Sequence, residues 1–287
     1  MKKIGFIDYF IDEWHANTYP GIIRGSSFKD RMDIALAWEE IHPEGKKHID
    51  DWCTDFNVQK ASSIKQVVDE CDYLIVLSPD NGERHEDLAD IALRSGKPVY
   101  IDKPIATSLA AAERMYEKAQ KHGTPLMSSS ALRFGSNLHN AVNGPMAKEK
   151  VRFVTTLGSG VFHNYAIHQV EMVVATIGIG AKRVLQFGND QAKAMAIDYG
   201  DGRRGVINLL PEQDFELRAV LGDGKYVCIT DMADIFDRFV DAMLAFFESG
   251  KSVIPVEQTL EIAALIEAGE AALKTPDLWS PVPGHSA

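Results

Sequence analysis

The triplet Asp102-Lys103-Pro104 is the part of this sequence with the clearest capacity for chemistry. It directly follows the short apolar run Val99 to Ile101, which predicts a buried strand. Open α/β sheets bind their ligands beyond the carboxyl ends of their strands, so this pattern places the Lys103 ammonium at a ligand-binding edge. Because Pro104 restricts the local backbone, it also limits the positions that the lysine can take.

The first half of the chain alternates strand and helix patterns, which predicts a doubly wound parallel sheet of the Rossmann type over residues 1–128. Gly96 and Gly123 follow two of the helical patterns, as C-terminal caps do. The predicted strands are Ile4 to Ile7, Ile34 to Ala37, Tyr73 to Leu77, Val99 to Ile101 and Leu126 to Met127. The predicted helices are Ile64 to Cys71, Glu83 to Arg94 and Leu109 to Lys121.

The second half, residues 129–287, has a different pattern and predicts an α+β domain with a mainly antiparallel sheet. Two hairpins are expected at Asp201-Gly202 and Asp223-Gly224, since Asp-Gly between alternating runs is a strong hairpin signal. The remaining predicted elements are a strand at Val151 to Leu157 and helices at His163 to Ile177, Asp234 to Glu248 and Val256 to Lys274.

Composition excludes several classes of protein. The chain has 287 residues, 45% of them hydrophobic, and a net charge of −11, which disfavours nucleic acid as a partner. The cysteines Cys53, Cys71 and Cys228 are far apart, so a disulfide framework is not expected and a reducing, cytoplasmic location fits. No secretory signal is visible, and the apolar run from Met172 to Ile179 is too short to span a membrane.

Several co-linear motifs over residues 57 to 274 resemble the Gfo/Idh/MocA family of oxidoreductases. In that family a strand ends in Thr/Ser-Pro. After it come, in order, a His, an Ala-Leu helix, Gly-Lys, Glu-Lys-Pro, Arg-Phe and a helix that begins Asp-x-x-x-His-x-x-Asp. The corresponding residues here are Ser78-Pro79, His85, Ala92-Leu93, Gly96-Lys97, Asp102-Lys103-Pro104, Arg133-Phe134, Asn164, His168 and Glu171.

The resemblance implies hydride transfer between NAD or NADP and a hydroxyl of a sugar, cyclitol or related polyol. Lys103 would orient the hydroxyl and His168, a side chain type that titrates near neutral pH, would accept its proton. A homo-oligomer is implied by analogy. The implied substrate-binding residues are Arg133, His163 and Asn164. The expected cofactor-binding residues are Asp8, Tyr9, Phe10, Glu39, Ser78, Pro79, His85, Asp102 and Lys103.

The first strand and its loop depart from the family pattern. A dinucleotide fingerprint needs glycines for close approach to the pyrophosphate, but Asp8 and Phe10 stand at the first two positions and the third falls near Glu13. A carboxylate about 4 Å from a phosphate oxygen costs on the order of 4 kcal/mol at an effective dielectric constant of about 20. The usual pyrophosphate position is therefore expected to be blocked, and a different cofactor pose would use Arg24, Lys29, Glu39 or Glu40.

Asn164 is a second departure, because the family has an aspartate there. A neutral amide cannot stabilise a protonated imidazole by charge, so His168 is expected to be a weaker base than its counterparts. His163 is a neighbour that would compensate.

Other residues allow more than one interpretation. Asp12, Glu13, His15, His163 and His168 are metal-ligand types, but their spacing matches no known metal motif, and no metal is predicted. The aromatic residues Tyr9, Phe10, Trp14 and Tyr19 would either stack on a sugar or simply pack the loop.

Two alternatives to the dehydrogenase hypothesis follow from the missing glycines. One is a redox-silent relative that binds a small ligand or a partner. The other is a non-redox lyase or isomerase that uses His168 and Lys103 as its acid–base pair. Taken alone, Lys103 is also compatible with an ordinary solvated lysine after a strand, and His168 with a packed helix histidine.

Overall fold

The computed structural model describes residues 1–148 and 150–284, and the chain divides into two compact units. The first unit contains residues 1–106, 110–129 and 239–254, and the second contains residues 107–109, 130–238 and 255–287. Within the described residues, no helix combines the length and apolar character needed to cross a bilayer.

A six-stranded parallel sheet forms the centre of the first unit, with strand order β3-β2-β1-β4-β5-β6. This is the order of a dinucleotide-binding doubly wound fold, so the predicted fold class is confirmed. The strands are β1 Lys2–Asp8, β2 Met32–Glu39, β3 Gln59–Lys60, β4 Tyr73–Val76, β5 Val99–Ile101 and β6 Leu126–Met127. The helices are α1 Trp14–Gly25, α2 Ile49–Phe56, α3 Ile64–Glu70, α4 His85–Ala89 and α5 Leu109–His122.

Local sequence explains where several of these helices begin and end. Ser63 caps α3 by accepting a hydrogen bond from the Gln66 N–H, and α2 ends at Asn57 in the left-handed conformation that asparagine tolerates. Gly5 lets α3 lie close against β1, because a Cβ atom there would approach a Val67 methyl carbon within 2.3 Å.

The predicted continuous helix from Glu83 to Arg94 is wrong. This stretch forms a 3₁₀ turn at Gly82–Arg84, the short helix α4 and a second 3₁₀ turn at Ala92–Arg94. Periodicity marked the buried face correctly, since His85, Leu88, Ala92 and Leu93 are all buried, but 3₁₀ turns can present the same face.

The second unit has a seven-stranded mixed sheet with strand order β12-β11-β7-β10-β9-β8-β13. Only the β7–β10 pair is parallel among these neighbours, and both Asp-Gly turns connect the predicted antiparallel pairs. The strands are β7 Val151–Gly158, β8 Arg183–Gly188, β9 Lys193–Asp198, β10 Arg204–Leu209, β11 Glu216–Leu221, β12 Tyr226–Ile229 and β13 Ser280–Pro281. The helices are α6 Ser136–Asn143, α7 Pro145–Lys148, α8 Phe162–Ile177, α9 Ile235–Ser249 and α10 Val256–Ala272.

Helix α9 groups differently from the expected domain division, which placed all of residues 129–287 in the second domain. Most of α9 lies in the first unit. Phe239 contacts the rings of Tyr19 and Tyr100, and Phe247 stacks on Tyr73 at 5.0 Å. The aromatic face of the helix therefore completes the core of the N-terminal unit, although the helix is distant in sequence.

Candidate functional site

The carboxyl end of β1 carries a buried carboxyl group. Asp8 is fully buried, and neither of its carboxyl oxygens has a hydrogen-bond partner among the described residues. Burial, reinforced by the charge of Glu13, raises the pKa of Asp8 well above its ordinary value, although the nearby N–H groups of Tyr9 and Phe10 oppose the shift. Burial therefore favours the neutral form of Asp8 relative to an ordinary aspartate, which opposes the negative charge that we expected at this position.

A second buried carboxyl group near this strand end is Glu13, the N-cap of α1. Its carboxylate accepts hydrogen bonds from the backbone N–H groups of His15, at 2.6 Å, and Ala16. Burial raises the pKa of Glu13 to about 7 in spite of those hydrogen bonds and of nearby His15. Asp12 accepts hydrogen bonds from the Asn17 side chain and from the Lys47 N–H.

The Glu13 cap decides whether a dinucleotide fits the β1–α1 segment. Pyrophosphate ordinarily binds the unpaired N–H groups at the start of this helix, with glycines allowing close approach. Here those N–H groups are already bonded to a carboxylate of the chain itself. The segment does not fit a pyrophosphate in its ordinary position.

A histidine–aspartate pair lies at the end of β5 in the same unit. Nδ1 of His15 is 2.5 Å from Oδ2 of Asp102, and both residues are buried. Burial by itself would raise the pKa of Asp102, but His15 and then Lys103 outweigh it and hold that pKa well below its ordinary value. The other carboxylate oxygen accepts from the Lys103 N–H at 2.8 Å and from the Tyr100 hydroxyl at 3.2 Å.

Lys103 directly follows this carboxylate and is only 7% exposed. Its ammonium donates to the carbonyl oxygen of Pro79 at 3.3 Å, and the Lys103-Pro104 peptide bond is cis. Ser78, just before Pro79, has a left-handed backbone with φ of 82°. Lys103 thus follows the carboxyl end of β5, as predicted, and its ammonium contacts the segment after β4.

His85 holds these two strand ends together. It is fully buried, with Nδ1 2.8 Å from the Pro104 carbonyl oxygen and Nε2 3.1 Å from the Ser78 carbonyl oxygen. Burial lowers its pKa, which favours the neutral ring. Its position supports the loops that carry Ser78 and Lys103, so any effect on a ligand passes through those loops.

The other expected cofactor residues lie on the β1 and β2 ends. Glu39 accepts the Ile11 N–H at 3.0 Å and so anchors the β1–α1 loop. Tyr9 and Phe10 are half-buried, and a cation covers each ring: Arg84 lies 5.7 Å from the first and Lys46 5.2 Å from the second.

The charged residues considered for a different cofactor pose have partners of their own or lie at the surface. Arg24 pairs with Asp33 at 2.9 Å, and Glu40 pairs with Arg84 at 2.8 Å. Lys29 is exposed.

In the second unit, His168 lies on α8 and is half-buried. Its Nδ1 is 2.8 Å from the hydroxyl of Ser130, which follows β6, and its ring contacts Tyr165 and Phe215 edge-on. The Ser130 hydroxyl therefore orients the His168 ring. The family pattern has an aspartate at the position of Asn164.

Arg133 is half-buried, and its guanidinium has partners within the second unit. Its guanidinium pairs with Glu171 at 2.5 Å and donates to the Gln258 side chain at 2.5 Å. Its third nitrogen is buried without a partner among the described residues.

His163 and Asn164 begin α8. His163 is exposed, lies 3.2 Å from Glu270 and lines a cavity of about 500 Å³ together with Phe162 and Lys193. Asn164 is half-buried on the same helix.

Sequence reasoning missed the partners of His15 and Ser130. The sequence indicates only a metal-ligand type at position 15, yet His15 pairs with Asp102. Within the described ranges, no group of three or more His, Cys, Asp or Glu side chains could hold a metal ion. No local signal points to Ser130, because its partner His168 is distant in sequence.

One segment in the first half of the chain matches a known protein family. Residues 25–130 match the model of the Gfo/Idh/MocA family, described as an oxidoreductase family with an NAD-binding Rossmann fold. The matched segment begins after the β1–α1 loop. A curated relative, inositol 2-dehydrogenase 2 of Saccharopolyspora erythraea, is 39% identical over 64 residues, which span 22% of this chain and 18% of that protein.

Solved structures share the fold over nearly the whole chain. The scyllo-inositol dehydrogenase of Lactobacillus casei, solved with NAD(H) and scyllo-inositol, has a TM-score of 0.81 at 14% identity and covers 98% of this chain and 99% of its own. The WlbA dehydrogenase of Bordetella pertussis, in complex with NADH and UDP-GlcNAcA, has a TM-score of 0.76 at 15% identity, with 99% and 98% covered. Residues 25–130 of this chain are therefore similar to the Gfo/Idh/MocA oxidoreductase family, and the β1–α1 loop lies outside the matched segment.

Proposed function

We propose that the protein is an NAD(P)-dependent oxidoreductase that acts on a hydroxyl group of a cyclitol, sugar or related polyol. The observation that carries the proposal is the family match over residues 25–130, whose segment contains Lys103 at the carboxyl end of β5. The inositol dehydrogenase relatives support a cyclitol or a similar ring polyol as the substrate. The same comparisons favour this function over the redox-silent and the lyase or isomerase hypotheses.

The chain supplies positioning and proton transfer. When bound, NAD(P) supplies the acceptor for the hydride. The Lys103 ammonium orients the hydroxyl and stabilises the negative charge that develops on its oxygen. A histidine accepts the proton, and the family resemblance implies His168 in that role, with Ser130 setting the orientation of its ring.

Turnover with a polyol panel tests this proposal. The purified protein is expected to reduce NAD⁺ or NADP⁺ with at least one inositol isomer or hexose, measured by nicotinamide absorbance. Binding of both oxidised and both reduced cofactors is measured in parallel by calorimetry. A protein that binds none of the four cofactors and oxidises no member of the panel would refute the assignment.

We further propose a homodimer formed through the open face of the second sheet. Helices α8 and α10 cover one face, whereas large apolar side chains of the other face are solvent-exposed: Phe153, Phe187, Val220 and Tyr226 are 38, 38, 40 and 79% exposed. Register places Phe153, Val220 and Tyr226 side by side on neighbouring strands. Contiguous exposed apolar surface of this kind is typical of interaction sites.

Light scattering tests the dimer. The wild type is expected at twice the chain mass, and a Val220→Glu/Tyr226→Glu double variant at the chain mass, because buried charges without partners disfavour association. A wild type that scatters as a monomer at micromolar concentration would rule out this interface.

A further inference from the structure

A buried ion pair that the proposed mechanism leaves unused lies on the same helix as His168. Glu171 follows His168 by three residues on α8, so the two side chains share one face of that helix. The Glu171 side chain is 3% exposed, and its Oε1 accepts a hydrogen bond from Nε of Arg133 at 2.5 Å. The Arg133 side chain is 13% exposed. This ion pair therefore connects the His168 face of α8 to the segment that carries Arg133.

The Arg133 segment also carries the hydroxyl that contacts His168. Arg133 belongs to a 3₁₀ turn, Ala131–Phe134, for which Ser130 is the side-chain cap, and the Ser130 hydroxyl lies 2.8 Å from Nδ1 of His168. The Ser130–His168 contact and the ion pair each join residues 38 positions apart, so the two contacts have the same register. Residues three apart lie on one side of a 3₁₀ turn and on one face of an α-helix. A shift of the ion pair would therefore move the hydroxyl as well.

Helix α10 also holds the guanidinium, because Nη1 of Arg133 donates to the Gln258 side chain at 2.5 Å. Nη2 is buried and has no hydrogen-bond partner among the described residues. Removing both charges of an ion pair from water is costly, and a buried N–H without a partner adds to that cost. Apolar side chains of similar volume are often at least as stabilising. Stability alone therefore gives a poor account of the Arg133–Glu171 pair.

We propose that the Arg133–Glu171 pair positions His168 for proton transfer. By holding the 3₁₀ turn in register with α8, the pair keeps the Ser130 hydroxyl on Nδ1 and sets the direction in which the ring presents Nε2. Arg133 and Glu171 act through His168 in this role and need not touch the substrate. The inference rests on the proposed function and on His168 as the proton acceptor.

Steady-state kinetics with the best substrate of the polyol panel gives the first test. Glu171→Gln and Arg133→Met are expected to lower kcat by roughly 10²-fold, because misplacing a reacting group by about 1 Å has an effect of that order. KM should change little, since the contacts of the substrate itself remain. Arg133→Lys keeps the charge but lacks the planar fork that reaches two acceptors, so it should recover part of the kcat lost in Arg133→Met. Gln258→Leu leaves the ion pair in place and should cause a smaller loss.

Histidine NMR gives a second test that does not depend on turnover. The ring nitrogens of His168, assigned by comparison with His168→Gln, are expected to show one dominant tautomer in the wild type, because Ser130 holds Nδ1. In Glu171→Gln the nitrogen shifts of His168 should move towards a mixture of the two tautomers. A purely structural role of the ion pair would leave these shifts unchanged.

A matched control separates positioning from a general loss of stability. Asp198 is a carboxylate of the second sheet that is 3% exposed and pairs with Arg183 and Arg204. Asp198→Asn is expected to have a lower Tm but the kcat and the His168 shifts of the wild type. If Asp198→Asn changes kcat and the His168 shifts as much as Glu171→Gln does, the effect is one of stability and the proposal is overturned.

The remaining outcomes separate this inference from the proposed function. If folded Glu171→Gln keeps the kcat and the His168 shifts of the wild type, the positioning role is overturned while the proposed function stands. If the wild type oxidises no polyol, the proposed function fails and the His168 shifts alone decide: a change in Glu171→Gln supports orientation of the ring by the ion pair, and unchanged shifts overturn it. If Glu171→Gln does not fold, Arg133→Lys and Gln258→Leu are judged by the same criteria.

Discussion

Replacing Lys103 by alanine is expected to lower kcat by roughly 10²- to 10³-fold, the loss typical of removing one preorganised group from a developing oxyanion. Lys103 is 7% exposed, and its ammonium donates a hydrogen bond to the Pro79 carbonyl oxygen just after β4. Because the interaction strengthens as charge develops on oxygen, the loss should fall mainly on kcat rather than on KM. Steady-state kinetics with the best substrate of the polyol panel measures both.

Two further variants make this result specific to the position. Lys103→Arg keeps the positive charge but replaces a compact ammonium by a larger, planar guanidinium, so its kcat is expected to remain low. Lys65→Ala removes a lysine that is 71% exposed and pairs with Asp69 on α3, and it should retain the rate of the wild type. A Lys103→Ala enzyme with normal kcat would remove this lysine from the mechanism.

Replacing Glu13 by glycine is expected to tighten NADH binding at pH 8 by up to about a thousandfold. The carboxylate occupies the N–H groups of His15 and Ala16 that pyrophosphate would otherwise receive. Repulsion between a carboxylate and a phosphate oxygen about 4 Å apart is on the order of 4 kcal/mol at an effective dielectric constant of about 20, which is about a thousandfold in affinity. Glu13→Gln removes the charge but keeps a cap, so its gain should be smaller.

The pH dependence of NADH affinity in the wild type provides an independent measure of the effect of the Glu13 charge. The pKa of Glu13 is raised to about 7, so the carboxyl group is mostly neutral below pH 7 and mostly charged above it. Because a phosphate binds better beside the neutral form, NADH affinity of the wild type should rise as the pH falls from 8 to 6. The Glu13→Gln variant should lack this part of the dependence.

Calorimetric titration of the wild type and both Glu13 variants with NADH at pH 6, 7 and 8 shows whether the Glu13 carboxylate weakens NADH binding. Glu113→Gln, an exposed acid on α5, is the matched control for a change in net charge. Equal NADH affinities of the wild type and both Glu13 variants at pH 8 would show that the phosphates do not approach the start of α1.

The sequence by itself was sufficient where local pattern and fold agree. Short apolar runs separated by helical patterns predicted five of the parallel strands, and the motif Asp102-Lys103-Pro104 predicted that Lys103 follows the carboxyl end of a strand. Asp-Gly turns predicted both hairpins of the second sheet. These features depend on residues close together in the chain, so their signals are contained in a short window.

The same sequence also determined that the dinucleotide loop is altered, because glycine is the only residue that allows close approach of backbone to phosphate, and glycines are missing there. It could not determine which acid carries the charge. Asp8 and Glu13 look equivalent in sequence, but full burial raises the pKa of Asp8, whereas Glu13 caps the start of α1.

The tertiary structure alone decided the partners of distant residues. His15 and Asp102 are 87 positions apart, Ser130 and His168 are 38 apart, and α9 packs its aromatic face against the N-terminal unit. Such pairings arise when the sheet brings its strand ends to one edge and apolar faces cover its sides, and no local pattern encodes them. Local sequence patterns thus predicted the parallel sheet and the position of Lys103. Packing decided how burial shifts the pKa values of Asp8 and Glu13, and which imidazole pairs with Asp102.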